Sequence, residues 1–183
     1  MRKTNAIYFL VLALACLNML SSAEEANLLV NPGFEKTDPA GWSLYGDATY
    51  DTQTFRSGEQ SGKTWAWDYG DGLFEQYVKV TPGTQYIAKV YAFSKPGDTI
   101  SGGSQAWIQI EWYSADDVAI SDPIKSPPLT STLDGWTLLS TPEATAPSGA
   151  VKAKIKVIIQ APKKETGGSC YFDDACFSAY SPM

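Results

Sequence analysis

The 183-residue chain contains no histidine, and that absence removes a large share of enzyme chemistry. Without imidazole there is no Ser-His-Asp or Cys-His nucleophile system and no histidine ligand for zinc. Cysteine is scarce too: Cys16 lies in an N-terminal apolar stretch, which leaves only Cys170 and Cys176 beyond it. Two thiolates are too few for a structural zinc site. If Cys170 to Cys176 form one strand, their Cα atoms lie about 20 Å apart at about 3.3 Å per residue. A disulfide needs them within about 7 Å. Two buried thiols are therefore expected, with a bridge across a tight reversal as the alternative. No apolar run reaches the roughly 20 residues of a comfortable membrane span.

Basic residues are outnumbered, 14 Lys and Arg against 20 Asp and Glu. Arg2 and Lys3 precede an apolar run from Ala6 to Leu20, and Ser21-Ser22-Ala23 offers small residues at a cleavage-site spacing. Residues 1–23 therefore read as a signal peptide and 24–183 as a single exported domain. A retained anchor helix, or a lipid anchor on Cys16, is the lesser alternative. Cleavage before Glu24 leaves 12 basic against 20 acidic residues, a net charge of −8. Nucleic acids and anionic membranes reward a basic face, so neither is expected as a partner. Aromatics are plentiful at 13%, with six tryptophans, more than one core readily absorbs.

Period-two patterns recur along the domain, separated by Gly, Pro and Asp. Strands are expected at Thr64–Tyr69, Phe74–Val80, Tyr86–Phe93, Ala106–Tyr113, Trp136–Thr141, Val151–Ile159 and Tyr171–Phe177. The stretches Thr37–Thr54 and Asp116–Gly135 are less regular and read as loops. No run carries the 3.6-residue period of a helix. The fold class is all-β, an antiparallel β-sandwich or jelly roll.

Alternation also assigns faces. Ala153, Ile155, Val157 and Ile159 share one parity and Lys152, Lys154 and Lys156 the other, so the apolar set faces the core. By the same logic Ile108, Ile110 and Trp112 point inward, and Trp107, Gln109, Glu111 and Tyr113 outward. Tyr86, Ala88, Val90 and Ala92 pack inside, which leaves Tyr91 outside. For Trp65, Trp67 and Tyr69 either direction satisfies parity. If outward, they join Tyr91, Trp107 and Tyr113 as an aromatic patch on one sheet, too large for a soluble monomer to expose without a ligand. Sugars suit it: a pyranose has an apolar C–H face that stacks on an aromatic ring, while Gln109 and Glu111 meet its hydroxyls. Trp67, Tyr91 and Trp107 are thus expected to be more exposed than Trp42, Trp112 and Trp136.

A resemblance adds to this. Asn27-Leu28-Leu29-Val30-Asn31-Pro32-Gly33-Phe34-Glu35 with Gly41-Trp42 resembles the opening of carbohydrate-binding modules of families four, nine, sixteen and twenty-two. It continues through Ser61-Gly62-Lys63, Phe74 to Val80, Thr81-Pro82-Gly83-Thr84-Gln85-Tyr86 and Ala144 to Ala150, and closes on Tyr171-Phe172-Asp173-Asp174. It implies a galactose-binding-like jelly roll with a concave ligand face and a structural calcium ion (Ca2+). That ion would be held by Glu35, by Asp173 or Asp174, and by backbone carbonyls near Ser61 and Lys63. Calcium takes six to eight hard oxygen ligands, which two carboxylates plus carbonyls can supply.

The expected protein is a secreted, non-catalytic, monomeric polysaccharide-binding module. Two rivals remain: an adhesion module whose aromatic face meets a protein, and a small glycan hydrolase. Glycosidic cleavage needs only two carboxylates about 5–10 Å apart, for which Glu111 with Glu75 or Asp68 is conceivable.

Overall fold

The computed structural model describes residues 26–35, 41–132 and 134–180. The expected leader, with Cys16 and the expected cleavage site before Glu24, lies outside the described residues. Eleven strands follow in order: β1 (Ser43–Gly46), β2 (Ala48–Asp51), β3 (Ser61–Trp67), β4 (Asp71–Lys79), β5 (Gln85–Phe93), β6 (Gln105–Tyr113), β7 (Ile124–Lys125), β8 (Thr137–Ser140), β9 (Ala144–Thr145), β10 (Lys152–Gln160) and β11 (Gly167–Ala179). The described residues contain no helix, and every pairing between strands is antiparallel.

The strands form two sheets. One runs β1-β4-β10-β6-β7; the other runs β2-β3-β11-β5-β8, with β9 also on β5. The expected sandwich is present, with additions. Thr37–Thr54 contributes β1 and β2, and Asp116–Gly135 contributes β7, where a loop was expected. Four-residue and two-residue strands give too few alternations to register against turn residues. Tyr69 is not in β3: the strand stops at Trp67, and Asp68 and Tyr69 take left-handed φ values of 45° and 69°.

Between the sheets lies one aromatic-rich core. Phe34 stacks on Trp42 at 4.9 Å and meets Phe74 edge-on at 5.3 Å. Tyr86 lies between Phe177 (5.1 Å) and Trp112 (5.9 Å). The inward parities of β5, β6 and β10 all stand as alternation assigns them: Tyr86, Ala88, Val90, Ala92, Ile108, Ile110, Trp112, Ala153, Ile155, Val157 and Ile159 are buried. β3 turns Thr64 and Ala66 inward, so Trp65 and Trp67 face out.

Within β11 the register slips between Asp173 and Cys176. This bulge reverses parity, so Cys170 and Phe172 point inward before it, and Ala175 and Phe177 after it. Both cysteines are free thiols; Cys170 is buried but Cys176, across the bulge, is only half-buried. Burial pushes the Cys170 thiol far above its ordinary pKa. A thiol reagent should therefore label one cysteine in the native domain, Cys176, and the second only on unfolding. Two thiols reacting at equal rates would contradict this packing.

Candidate functional site

The outward aromatics do not lie on one sheet. Trp107, Gln109, Glu111 and Tyr113 belong to β6 in the five-stranded sheet, whereas Trp65, Trp67 and Tyr91 belong to β3 and β5 in the six-stranded one. The expected single patch is split between opposite faces of the sandwich. Parity decides whether a side chain points inward or outward, but says nothing about which sheet carries its strand.

On the outer face of the five-stranded sheet, register aligns three strands. Lys156 on β10 sits between Glu75 on β4 and Gln109 on β6; Lys154 sits between Tyr77 and Glu111; Ile158 sits between Leu73 and Trp107. Polar contacts link these residues into a network. The Trp107 indole donates to Gln109 Oε1 (2.5 Å), and Gln109 Nε2 donates to Glu111 Oε1 (2.5 Å). The Tyr113 hydroxyl donates to Glu111 Oε2 at 2.9 Å. Lys156 bridges Glu111 (2.8 Å) and Glu75 (3.8 Å), and Lys154 reaches Glu75 at 3.2 Å. Burial disfavours the Lys154 ammonium, but its bonds to Tyr77 and Glu75 hold its pKa above the usual lysine value. Burial, then the bond to Glu111, raises the Tyr113 phenol and keeps it a donor.

These outward side chains are nearly covered, with Gln109 at 5% and Glu111 at 9% exposure. They cover one another and form a rigid floor of hydrogen-bonding groups. Beside it Tyr77, 48% exposed, meets Tyr113 edge-on at 5.6 Å. Trp107, expected to be exposed, is buried at 6% with the Lys125 ammonium 4.4 Å over its ring. Tyr77, Lys154 and Lys156 are not among the ligand-binding residues expected from the sequence, and Glu75 enters there only as a conceivable carboxylate partner of Glu111. Their outward parity was legible, but their place beside β6 depends on β10 pairing both β4 and β6.

The six-stranded sheet presents a different outer surface. Tyr91 is half-buried beneath the Arg56 guanidinium, 3.5 Å from its ring centroid. Phe93 and Trp136 meet at 5.6 Å, so Trp136 is half-buried on this surface rather than part of the core. Trp67 and Tyr69 are the open aromatics, 56% and 72% exposed.

The residues expected around calcium are drawn together in part. Asp173, fully buried at the bulge, accepts the backbone N–H groups of Arg56 (2.7 Å), Ser57 (3.1 Å) and Asp174 (2.7 Å). Glu35 Oε2 accepts the Glu59 N–H at 2.9 Å, while Glu35 Oε1 is buried without a hydrogen-bond partner. A methyl group on Gly33 would stand 3.6 Å from Glu35 Oε1 and 3.9 Å from Asp173 Oδ1, so the two carboxylates are neighbours. Gly58 closes over them: its φ is +63°, and a Cβ there would come within 1.8 Å of Glu35 Oε1. Burial pushes the Asp173 pKa up despite its three donors. A bare carboxylate oxygen beside an anion that burial disfavours is an arrangement that suits a hard cation. Ser61 lies next to this pair, since Phe172 pairs with Gly62. Asp174 turns away to Arg56 and Ser57, and the Lys63 side chain goes to Asp98 at 3.2 Å.

No protein-family model and no curated protein sequence matches the chain. Solved structures do. The CBM22-1 xylan-binding domain from Paenibacillus barcinonensis Xyn10C superposes with a TM-score of 0.61 at 15% identity, over 88% of this chain and 100% of that one. The chain shares the two-sheet antiparallel β-sandwich fold of that domain. TmCBM61, in complex with beta-1,4-galactotriose, matches with a TM-score of 0.56 at 18% identity, over 85% and 100% of the two chains. The enzymatically active domain of bacteriophage CBA120 tailspike protein 4 matches with a TM-score of 0.64 at 13% identity. That match covers 84% of this chain but only 21% of the tailspike chain. At such identities the likeness concerns the fold, and the site has to be argued from its own residues.

Proposed function

We propose that this chain is a secreted, non-catalytic carbohydrate-binding module that holds a polysaccharide across the outer face of the five-stranded sheet. The observation that carries the reading is the network running from Trp107 through Gln109 and Glu111 to Lys156 and Glu75. Polar groups on an outward sheet face need not be so connected to stabilise a core. Locked by one another, they meet sugar hydroxyls without losing rotamer freedom on binding. Tyr77 supplies the exposed ring on which a pyranose can stack. The solved jelly rolls that bind xylan or galactotriose support the same ligand class.

Hydrolysis is disfavoured by the same geometry. Lys156 pairs with both Glu75 and Glu111, so the two carboxylates are engaged with a shared cation rather than left open to a scissile bond. The test is affinity electrophoresis against xylan, mixed-linkage glucan, cellulose, mannan and alginate. Retardation by at least one, with no reducing ends released, is expected. Release of reducing ends, or passage unretarded through all five, would overturn the reading.

Calcium is proposed as a structural ion held by Glu35 and Asp173, with carbonyl oxygens of the Gly58–Ser61 segment completing the shell. It would fix the loop that carries Arg56 over Tyr91. An ion bound only by the native state stabilises by RT ln(1 + [L]/Kd), so chelation should lower the melting temperature and Glu35→Ala should abolish the difference. A melting temperature indifferent to chelator in the parent would remove the ion from the account.

A further inference from the structure

The six-stranded face carries a second feature that the proposed site does not use. A hollow of about 380 Å³ opens beside β3, lined by Thr49, Asp51, Lys63, Trp65, Trp67 and Asp98. Its lining follows from pairing: Thr49 on β2 lies opposite Lys63 on β3, and Trp65 and Trp67 follow on the same outward parity. Lys63 Nζ bonds Asp98 Oδ2 at 3.2 Å, and Ser169 Oγ donates to the same oxygen at 2.6 Å. The cation and the carboxylate are thus fixed at the edge of the hollow, with Lys63 also 5.8 Å from the Trp65 ring centroid.

The indole of Trp67 is set as a platform. A Cβ at Gly167, its cross-strand partner, would fall 2.2 Å from Trp67 Cε3, so the ring lies down over the glycine. More than half of the residue still faces solvent. The turn beyond it is built with strain: Asp68 and Tyr69 are both left-handed, and the Gly70 N–H returns to the Trp67 carbonyl at 2.9 Å. An indole packed on Gly167 by one face and left largely bare on the other, beside a fixed ion pair, offers a stacking surface, and left-handed residues such as Asp68 and Tyr69 concentrate where ligands bind.

We propose that this hollow is a second glycan site, and that the domain is a two-sided linker of polysaccharide chains. One pyranose stacks on Trp67, its hydroxyls donating to Asp98 and Asp51 and accepting from Lys63. The ring faces away from the five-stranded sheet, and sheets pack about 10 Å apart, so a chain held here is not the chain held at Glu111. The inference rests on the carbohydrate reading of the first face. Occupancy of both faces joins two chains, which one-sided binding cannot do.

The experiment is calorimetric titration of the whole domain with xylohexaose and, separately, with β-1,4-galactotriose, alongside Trp67→Ala, Tyr77→Ala and the double variant. A stoichiometry of two in the parent is expected, with one site weakened at least tenfold in each single variant and binding lost in the double. Turbidity or viscosity of soluble xylan should rise with the parent and not with either single variant. A parent stoichiometry of one that Trp67→Ala leaves intact overturns the second site and spares the first. Binding abolished by Trp67→Ala but untouched by Tyr77→Ala overturns the first face and the two-sided linker together. Silence from both sugars in the parent overturns this inference, while the panel of five polysaccharides still tests the first.

Discussion

Replacing Trp112 by alanine is expected to destabilise the domain by about 3–5 kcal/mol, the usual cost of emptying a large aromatic site in a packed core. Trp112 is 1% exposed, faces Tyr86, and stands on β6 with Ile108 and Ile110 on the same side. Trp67→Ala makes the same chemical change on an outward parity, where the residue is 56% exposed and no core volume is lost. Its unfolding midpoint should shift by less than about 1 kcal/mol in free energy, the scale of substitutions away from the core. Denaturant unfolding of both variants against the parent reads the contrast directly. A Trp67→Ala domain as unstable as Trp112→Ala would mean that the β3 faces are reversed.

Glu111→Ala is expected to weaken glycan binding at the five-stranded face by roughly 100-fold, about 2.7 kcal/mol at 1.36 kcal/mol per factor of ten. This carboxylate accepts from Gln109 and Tyr113 and pairs with Lys156. Removing it frees three neighbours at once, so the floor loses its arrangement as well as one ligand contact. Folding should suffer too, by about 1–3 kcal/mol, because donors only slightly exposed lose their partner. Tyr77→Ala separates the effects: its ring is half in solvent, so binding should fall while the unfolding midpoint holds. Retardation in polysaccharide gels, measured beside thermal unfolding, distinguishes the cases. Unchanged retardation of Glu111→Ala would remove the five-stranded face from the function.

Much of the fold is legible from alternation because three strands are nearly free of ambiguity. The lysines of β10 can only face out, and the alanines and valine of β5 and the isoleucines of β6 can only face in. The site was legible one strand at a time. Gln109 and Glu111 stand out beside Trp107 as hydroxyl partners, and both belong to the network. What alternation does not contain is sheet membership. The chain changes sheets between β3 and β4 through Asp68–Gly70, between β4 and β5, and again between β5 and β6, so strands adjacent in sequence face opposite sides of the molecule. Trp67 and Trp107 were therefore grouped when the sandwich lies between them. Exposure is equally non-local: Trp107 is outward but covered, because Lys125, from a two-residue strand with no sequence signature, lies over its ring. The bulge in β11 carries Asp173 and Asp174 into different environments, which a motif of two identical residues cannot distinguish.

Backbone and side-chain amide shifts followed by NMR during titration with xylohexaose or β-1,4-galactotriose report residue by residue where sugar touches the protein. The prediction is that shifts appear on Gln105–Tyr113, Lys152–Gln160 and Asp71–Lys79, with the Gln109 side-chain amide and the Trp107 indole N–H among the largest, separate from any set that the second site gives around Trp67. Shifts elsewhere with none on these three strands, or none with any glycan that retards the protein, would contradict it.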